Sequence, residues 1–199
     1  MIDFIQIGAN IGNTPQDIIW KFVREKRWKG IFVEPVTSSF NILKENYSDL
    51  DGCYFEHLAI GNEDGEITIY SRSDGLSDRQ QASTIKDHWD NDFAEVVPCL
   101  TLTSLIEKYE MSGKPFELLQ IDAEGIDDLI LLNTDFSKVL PEKIRFEVVH
   151  LPRYGRSPTQ VLNYLKLFGY EIIEDEYIEH VKSTEIGFDV MVKKTTNKN

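Results

Sequence analysis

Phe4-Ile5-Gln6-Ile7-Gly8-Ala9-Asn10-Ile11-Gly12 is an apolar strand running straight into a glycine-spaced turn, and its reading decides the fold. Gly8 and Gly12 can take backbone angles closed to residues with a Cβ, so the turn can press its main chain against a ligand. Asn10, between them, tolerates such angles better than most residues. About 25 residues further on, Ile31-Phe32-Val33-Glu34-Pro35 is a second apolar run ending in an acid, where α/β nucleotide folds set a carboxylate on ribose hydroxyls. Strand, glycine turn, helix and strand-end acid point to an adenosine site.

Outward from that unit, strand-like and helix-like periods alternate, which predicts an α/β sheet. The first strand is expected over 3–8. A helix then opens near Pro15, carries Ile18, Ile19, Phe22 and Val23, and stops near Lys29-Gly30. A strand over 31–34 precedes a helix capped by Thr37 or Ser38, with Phe40, Leu43 and Tyr47 along it. Cys53 to Ile60 reads as one strand, and Asn62-Glu63-Asp64-Gly65 as a hairpin turn into Glu66–Tyr70. Residues 72–95 have no period and form a loop or a lid. Pro98 marks Val96–Leu100 as an edge strand, since proline cannot donate to a ladder.

Thr101 or Thr103 caps the next helix, Phe116–Asp122 is a buried strand, and Gly125–Leu132 is the helix after it. Lys143–His150 is a further strand, and Ser157-Pro158 opens a helix bearing Val161, Leu162, Leu165 and Phe168. Strands at 171–174 and 187–192 complete one domain over 1–194, leaving 195–199 as a polar tail.

Hydrophobic residues make up 41% and charged residues 28% of the 199, the balance of an ordinary globular chain. No apolar run is long enough to span a bilayer, and Met-Ile-Asp-Phe does not begin a signal peptide. Two cysteines make no disulfide framework, so a reduced cytoplasmic protein is expected. A net charge of −13 repels phosphate backbones and disfavours nucleic acid as a partner. The basic run Lys21–Arg27, interrupted by apolar and acidic residues, reads as a solvated helix face.

The turn is not a dinucleotide fingerprint, because Asn10 and Asn13 stand where the second and third glycines belong. It also lacks the lysine of a phosphate loop. A cofactor without phosphates accounts for both absences. The spacing resembles motif I of class I S-adenosylmethionine-dependent methyltransferases, and more narrowly the chain resembles the FkbM family. The likeness rests on Ile7–Gly12, on Val33-Glu34-Pro35 with Asn46 after Leu43, on Leu58-Ala59-Ile60-Gly61 with Gly65, on Gln120–Gly125 and on Phe146-Glu147-Val148.

That resemblance implies a Rossmann-like domain with a mixed, mostly parallel seven-stranded sheet and helices on both faces. It implies S-adenosylmethionine as cofactor, with Gly8, Ala9, Asn10 and Gly12 at its methionine end, Glu34 and Pro35 at the ribose, and Ala59 and Ile60 at the adenine. The reaction implied is in-line methyl transfer to a hydroxyl of a sugar, glycan or other small metabolite. Gln6 can hydrogen-bond a bound ammonium but brings no charge where many relatives carry an acid. The family's Leu-Asp-Asp-Leu stretch reads Leu102-Thr103-Ser104-Leu105 here. Helices that often precede motif I are missing, so 72–95 or a second subunit would close the site, which leaves room for a homo-oligomer.

Asp122 and Glu124 fall where a strand gives way to a helix, and read either as helix caps or as groups beside cofactor and substrate. Glu147 and His150, three apart on an extended chain, should face opposite sides. Asp122, Glu124 and His150 are the candidate bases, with Asp122 also beside the cofactor. Asp122, Glu124 and Glu147 form an oxygen-only set with no diagnostic metal spacing, and no metal is expected. Arg72, Arg79, Trp89, Arg153, Tyr154 and Arg156 sit in segments that could meet the acceptor. Two other readings remain open from sequence: a silent binding protein on the same fold, and a nicotinamide oxidoreductase.

Overall fold

The computed structural model describes residues 1–14, 17–71, 82–86, 92–173 and 189–195. Pro15, Arg72, Arg79, Trp89, most of the 72–95 segment, Glu174, Gly187, Phe188 and residues 196–199 lie outside them. In chain order the elements are β1 (Phe4–Ile7), α1 (Ile18–Lys26), β2 (Gly30–Val33), α2 (Thr37–Asn46), β3 (Cys53–Glu56), β4 (Ala59–Ile60), β5 (Gly65–Ser71) and β6 (Phe93–Leu100). Then follow α3 (Leu102–Lys108), β7 (Pro115–Ile121), α4 (Asp127–Leu132), β8 (Leu140–Glu147), α5 (Pro158–Leu167), β9 (Tyr170–Ile172) and β10 (Asp189–Lys194).

Seven strands form one sheet in the order β3-β2-β1-β7-β8-β10-β9. From β3 to β8 all pairs are parallel, and only β10 runs against its neighbours. Strands β1 and β2 at the centre are buried on both faces, and alternate side chains of the sheet serve two cores. Phe4, Phe32 and Leu118 meet Ile18, Ile19, Val23, Leu43 and Tyr47 from α1 and α2 on one side. Ile5, Ile31, Val33 and Leu119 meet Leu105, Ile130, Val161 and Leu165 from α3, α4 and α5 on the other. The chain leaves β1 in one direction and reaches β7 from the other, so the crevice between their carboxyl ends is the switch point where open α/β sheets take ligands.

Local endings differ from the sequence expectation for identifiable reasons. Helix α1 starts at the Asp17 cap, whose Oδ1 accepts from Ile19 N at 2.8 Å, and ends at Arg27 in the left-handed region (φ 59°). Gly30 is therefore not a cap: it opens β2 opposite Phe4, and a Cβ there would overlap the Phe4 ring. Neither Thr37 nor Ser38 caps α2; Val36 holds that position, and the Thr37 hydroxyl donates to Glu95 at 2.5 Å.

The run Cys53–Ile60 breaks after Glu56, and β4 crosses into a second, three-stranded sheet ordered β4-β6-β5. There β4 pairs parallel and β5 antiparallel with β6, so Asn62–Gly65 links the two flanks of β6 and is not a hairpin turn. The strand carrying Pro98 is accordingly the middle one, not an edge. Proline is tolerated because β4 pairs only with Cys99 and Leu100, leaving Pro98 with a single neighbour, Glu66.

Candidate functional site

The carboxyl ends of β1, β2 and β7 and the inner face of the small sheet enclose a pocket. Its floor is main chain. Gly8 (φ 74°) and Ala9 each donate to Val33 O at 3.0 Å, and Asp122 N donates to Ile7 O at 3.0 Å. A Cβ at Gly8 would run into the Asp122 carbonyl, so only glycine lets the two strand ends lie this close. The turn is clamped from behind. Asn46 Nδ2 donates to Ile11 O at 2.8 Å and Tyr47 OH to Gly12 O at 2.7 Å, while Leu43 and Tyr47 fill the space a Gly12 Cβ would need.

Glu34 stands at the end of β2, 4% exposed and facing the pocket. Asn10 N donates to its Oε2 at 2.7 Å and Val36 N to its Oε1 at 2.9 Å. Burial outweighs these two bonds and pushes the carboxyl up to about 7. Each oxygen keeps a second lone pair. Beside Glu34, Leu58, Ala59, Ile60 and Ile69 form an apolar wall, and Ala82, Ser83 and Thr84 complete the rim. These last three belong to the expected loop or lid of 72–95, whose end from Phe93 onward is instead the start of β6; Ser83 pairs with Tyr70, and its hydroxyl donates to Glu124 O at 2.9 Å.

Across the pocket the loop after β7 carries Asp122 and Glu124. Asp122 is open to the cavity yet set deep among protein atoms; burial, with Glu124, Asp127 and Asp189 nearby, raises its carboxyl well above the usual range. His150 Nε2 lies 3.3 Å from Glu124 Oε2 and 3.3 Å from Glu147 Oε2. Glu147 and His150 were expected to diverge. Strand β8 ends at Glu147, and the turn after it swings the imidazole back between the two carboxylates. Burial and then the charges of Asp122 and Glu124 push Glu147 up to about 10.

The donor atoms of Glu124, Glu147 and His150 lie within 4.8 Å of one another, a set that differs from the oxygen-only trio read from sequence by exchanging Asp122 for His150. Two carboxylates and an imidazole are chemically able to hold a divalent ion.

Of the residues picked from sequence, Gly8, Asn10, Glu34, Pro35, Ala59, Ile60, Asp122 and Glu124 line the pocket. Gln6, Ala9, Gly12 and His150, also picked from sequence, are not among the residues that line it. Arg156 pairs with Asp128 and the Gly125 carbonyl, which ties down the loop after β7. The reading of sequence passed over Asp127. It is fully buried, and its carboxylate accepts from Ala123 N (3.3 Å), Gly125 N (3.4 Å) and Glu147 N (3.3 Å), joining the two acid-bearing loops. An acid in the first turn of a helix was its only signal, and many exposed acids share it.

The family model described as the methyltransferase FkbM domain matches residues 6–172. The FkbM methyltransferase of Methylobacillus flagellatus KT superposes with a TM-score of 0.55 at 10% identity, covering 96% of this chain and 43% of that one. Aeropyrum pernix fibrillarin with natively bound S-adenosyl-L-methionine gives 0.47 at 12% identity, over 96% of this chain and 65% of that one. The trans-methyltransferase CalH in complex with SAH gives 0.49 at 10% identity, over 98% and 51%. At such identities the likeness to the Methylobacillus protein speaks for the fold alone, and this chain spans less than half of that protein's length. A comparison with curated proteins finds no match. Matched over residues 6–172, most of its length, the chain belongs to the methyltransferase FkbM domain family.

Proposed function

We propose that the chain transfers a methyl group from S-adenosylmethionine to a hydroxyl oxygen of a small metabolite or glycan. The observation that carries this reading is the convergence on one pocket of Glu34, held by two backbone N–H groups, and of Glu124, the pocket-lining member of the Glu124–His150–Glu147 cluster. The pocket fits an adenosine: Glu34 has lone pairs left for ribose hydroxyls, and Leu58, Ala59, Ile60 and Ile69 offer an apolar slot for a base. When bound, S-adenosylmethionine supplies an electrophilic methyl on a sulfonium.

The protein's own part is to place the acceptor oxygen in line and to take its proton. Glu124 is the cluster member that lines the pocket, so it is the group that touches the acceptor hydroxyl. His150 Nε2 stands 3.3 Å from the Glu124 carboxylate. Glu147, raised to about 10, keeps its own proton at neutral pH and adds no second charge there. The net charge of −13 supports an acceptor other than nucleic acid.

Incubating the protein with S-adenosylmethionine and a panel of monosaccharides, nucleotide sugars and hydroxylated metabolites tests the reading. Release of S-adenosylhomocysteine, with one CH2 added to oxygen in the acceptor, is expected. Glu124→Gln should lower kcat about 100-fold or more while leaving cofactor affinity unchanged. Methylation only of nitrogen, or only of RNA, would overturn the proposal.

A further inference from the structure

Strands β7 and β8 run parallel with Ile121 opposite Phe146, so the loop carrying Glu124 and the turn carrying Glu147 and His150 leave the sheet side by side at one edge. His150 Nε2 stands between Glu124 Oε2 and Glu147 Oε2, 3.3 Å from each. Donor atoms of all three residues lie within 4.8 Å of one another. The imidazole is 16%, Glu124 20% and Glu147 17% exposed, so water screens them little.

A shared proton does not account for this grouping. Nε2 carries at most one hydrogen, which points one way, so the ring can donate to at most one of the two facing oxygens. Glu147 Oε2 is buried and accepts no hydrogen bond, although the imidazole stands 3.3 Å away. A buried carboxyl oxygen left without a donor is uncommon in a folded protein and costly. The spacing is that of a coordination shell: ligand atoms about 2.0–2.1 Å from a tetrahedral ion lie about 3.3–3.4 Å from one another.

We propose that Glu124, Glu147 and His150 bind a divalent transition-metal ion of the zinc class, through one oxygen of each carboxylate and Nε2 of the imidazole. An ion takes all three donor atoms at once, and it replaces the proton that Glu147 otherwise keeps. The nitrogen ligand favours such an ion over Mg2+ or Ca2+, which prefer oxygen. Three protein ligands leave a fourth position open, and Glu124, which lines the pocket, sets the ion at its wall. The ligand backbones are already fixed from outside the cluster. Ser83 Oγ donates to Glu124 O at 2.9 Å, and Glu147 N donates to Asp127 Oδ1 at 3.3 Å. Ion binding at these residues stands apart from the methyl-transfer reading, since it needs neither cofactor nor acceptor.

The test is calorimetric titration of Zn2+ into the chelator-treated chain without a histidine tag, with Co2+ as a spectroscopic substitute. A single equivalent of Zn2+ is expected to bind, and millimolar Mg2+ should not displace it. Co2+ should give the strong visible bands of a four-coordinate site, in contrast to the weak bands of the six-coordinate aquo ion. Glu147→Gln and His150→Ala should each weaken Zn2+ at least about tenfold. Glu25→Gln removes an exposed acid on α1 and should change the affinity by no more than about twofold, which separates the site from the general attraction of an acidic surface.

Absence of saturable Zn2+ binding, a Co2+ spectrum of the aquo ion, or an equal loss in Glu25→Gln and the cluster variants would overturn the proposal. If neither cluster variant folds, the Co2+ spectrum of the wild-type chain decides. Methyl transfer that proceeds after any of these failures would leave the function proposed above intact.

Discussion

At the scale of single residues, Gly8 and Glu34 carry the largest consequences. Gly8→Ala meets two obstacles at once, a φ of 74° and the Asp122 carbonyl where its Cβ would go. It should destabilise the fold by more than about 1 kcal/mol, read as a lower urea midpoint with an unchanged slope. For Glu34 the expected effect is on cofactor binding. Its carboxyl is raised to about 7, and ribose hydroxyls donating to it would favour the ionised form, so binding releases a proton. Affinity for S-adenosylhomocysteine should therefore improve as pH rises through about 7 and level off above it. Glu34→Gln should bind about tenfold more weakly and show a shallower rise, which calorimetry between roughly pH 6 and pH 8 checks. Glu34 was legible because strand, turn and acid recur at a known spacing. Ser83 was not, since it acts through a partner distant in sequence, Glu124.

At the scale of elements, the loop after β7 and the end of β8 are held together by Asp127, which accepts from Ala123, Gly125 and Glu147. Asp127→Ala leaves those N–H groups without their acceptor and should cost about 1–3 kcal/mol in chemical denaturation. It should also lower turnover with little change in cofactor affinity, because Glu124 and Glu147 lose their common anchor. The long periodic elements were readable in advance: β1, β2, β7, α3 and α5 fall within a few residues of expectation. Ends and pairings were not. Gly30 has the look of a helix stop, yet the close approach of Phe4 is what demands glycine there. Pro98 signals an edge only if its strand is flanked along its whole length, and the two-residue β4 leaves it room. The turn beyond β8 that returns His150 to Glu147 leaves no period in the sequence, so the meeting of the two could not be foreseen.

At the scale of the whole molecule, the ligand-free protein buries more carboxyl groups than it neutralises. Asp17, Glu34, Asp127 and Glu147 are all raised, first of all by burial. Each therefore has a folded-state pKa above its unfolded one, so the folded chain binds more protons than the unfolded chain between those values. Stability must fall as pH rises through that window. Tm of the ligand-free protein should be higher near pH 5 than near pH 8, and replacing Glu34 by Gln should reduce the slope. A Tm that climbs steadily over the same range would contradict the burial of these acids. Cofactor should flatten the profile by supplying donors to groups that otherwise keep their protons.

The pocket floor described above consists of backbone: the Gly8 turn and the Asp122 strand end touch through main-chain atoms, with no side chain between them. Such a surface is indifferent to most substitutions. Mutational drift can rewrite the strands, helices and rim while the floor keeps its shape, provided position 8 stays glycine and the clamps from Asn46 and Tyr47 stay in place.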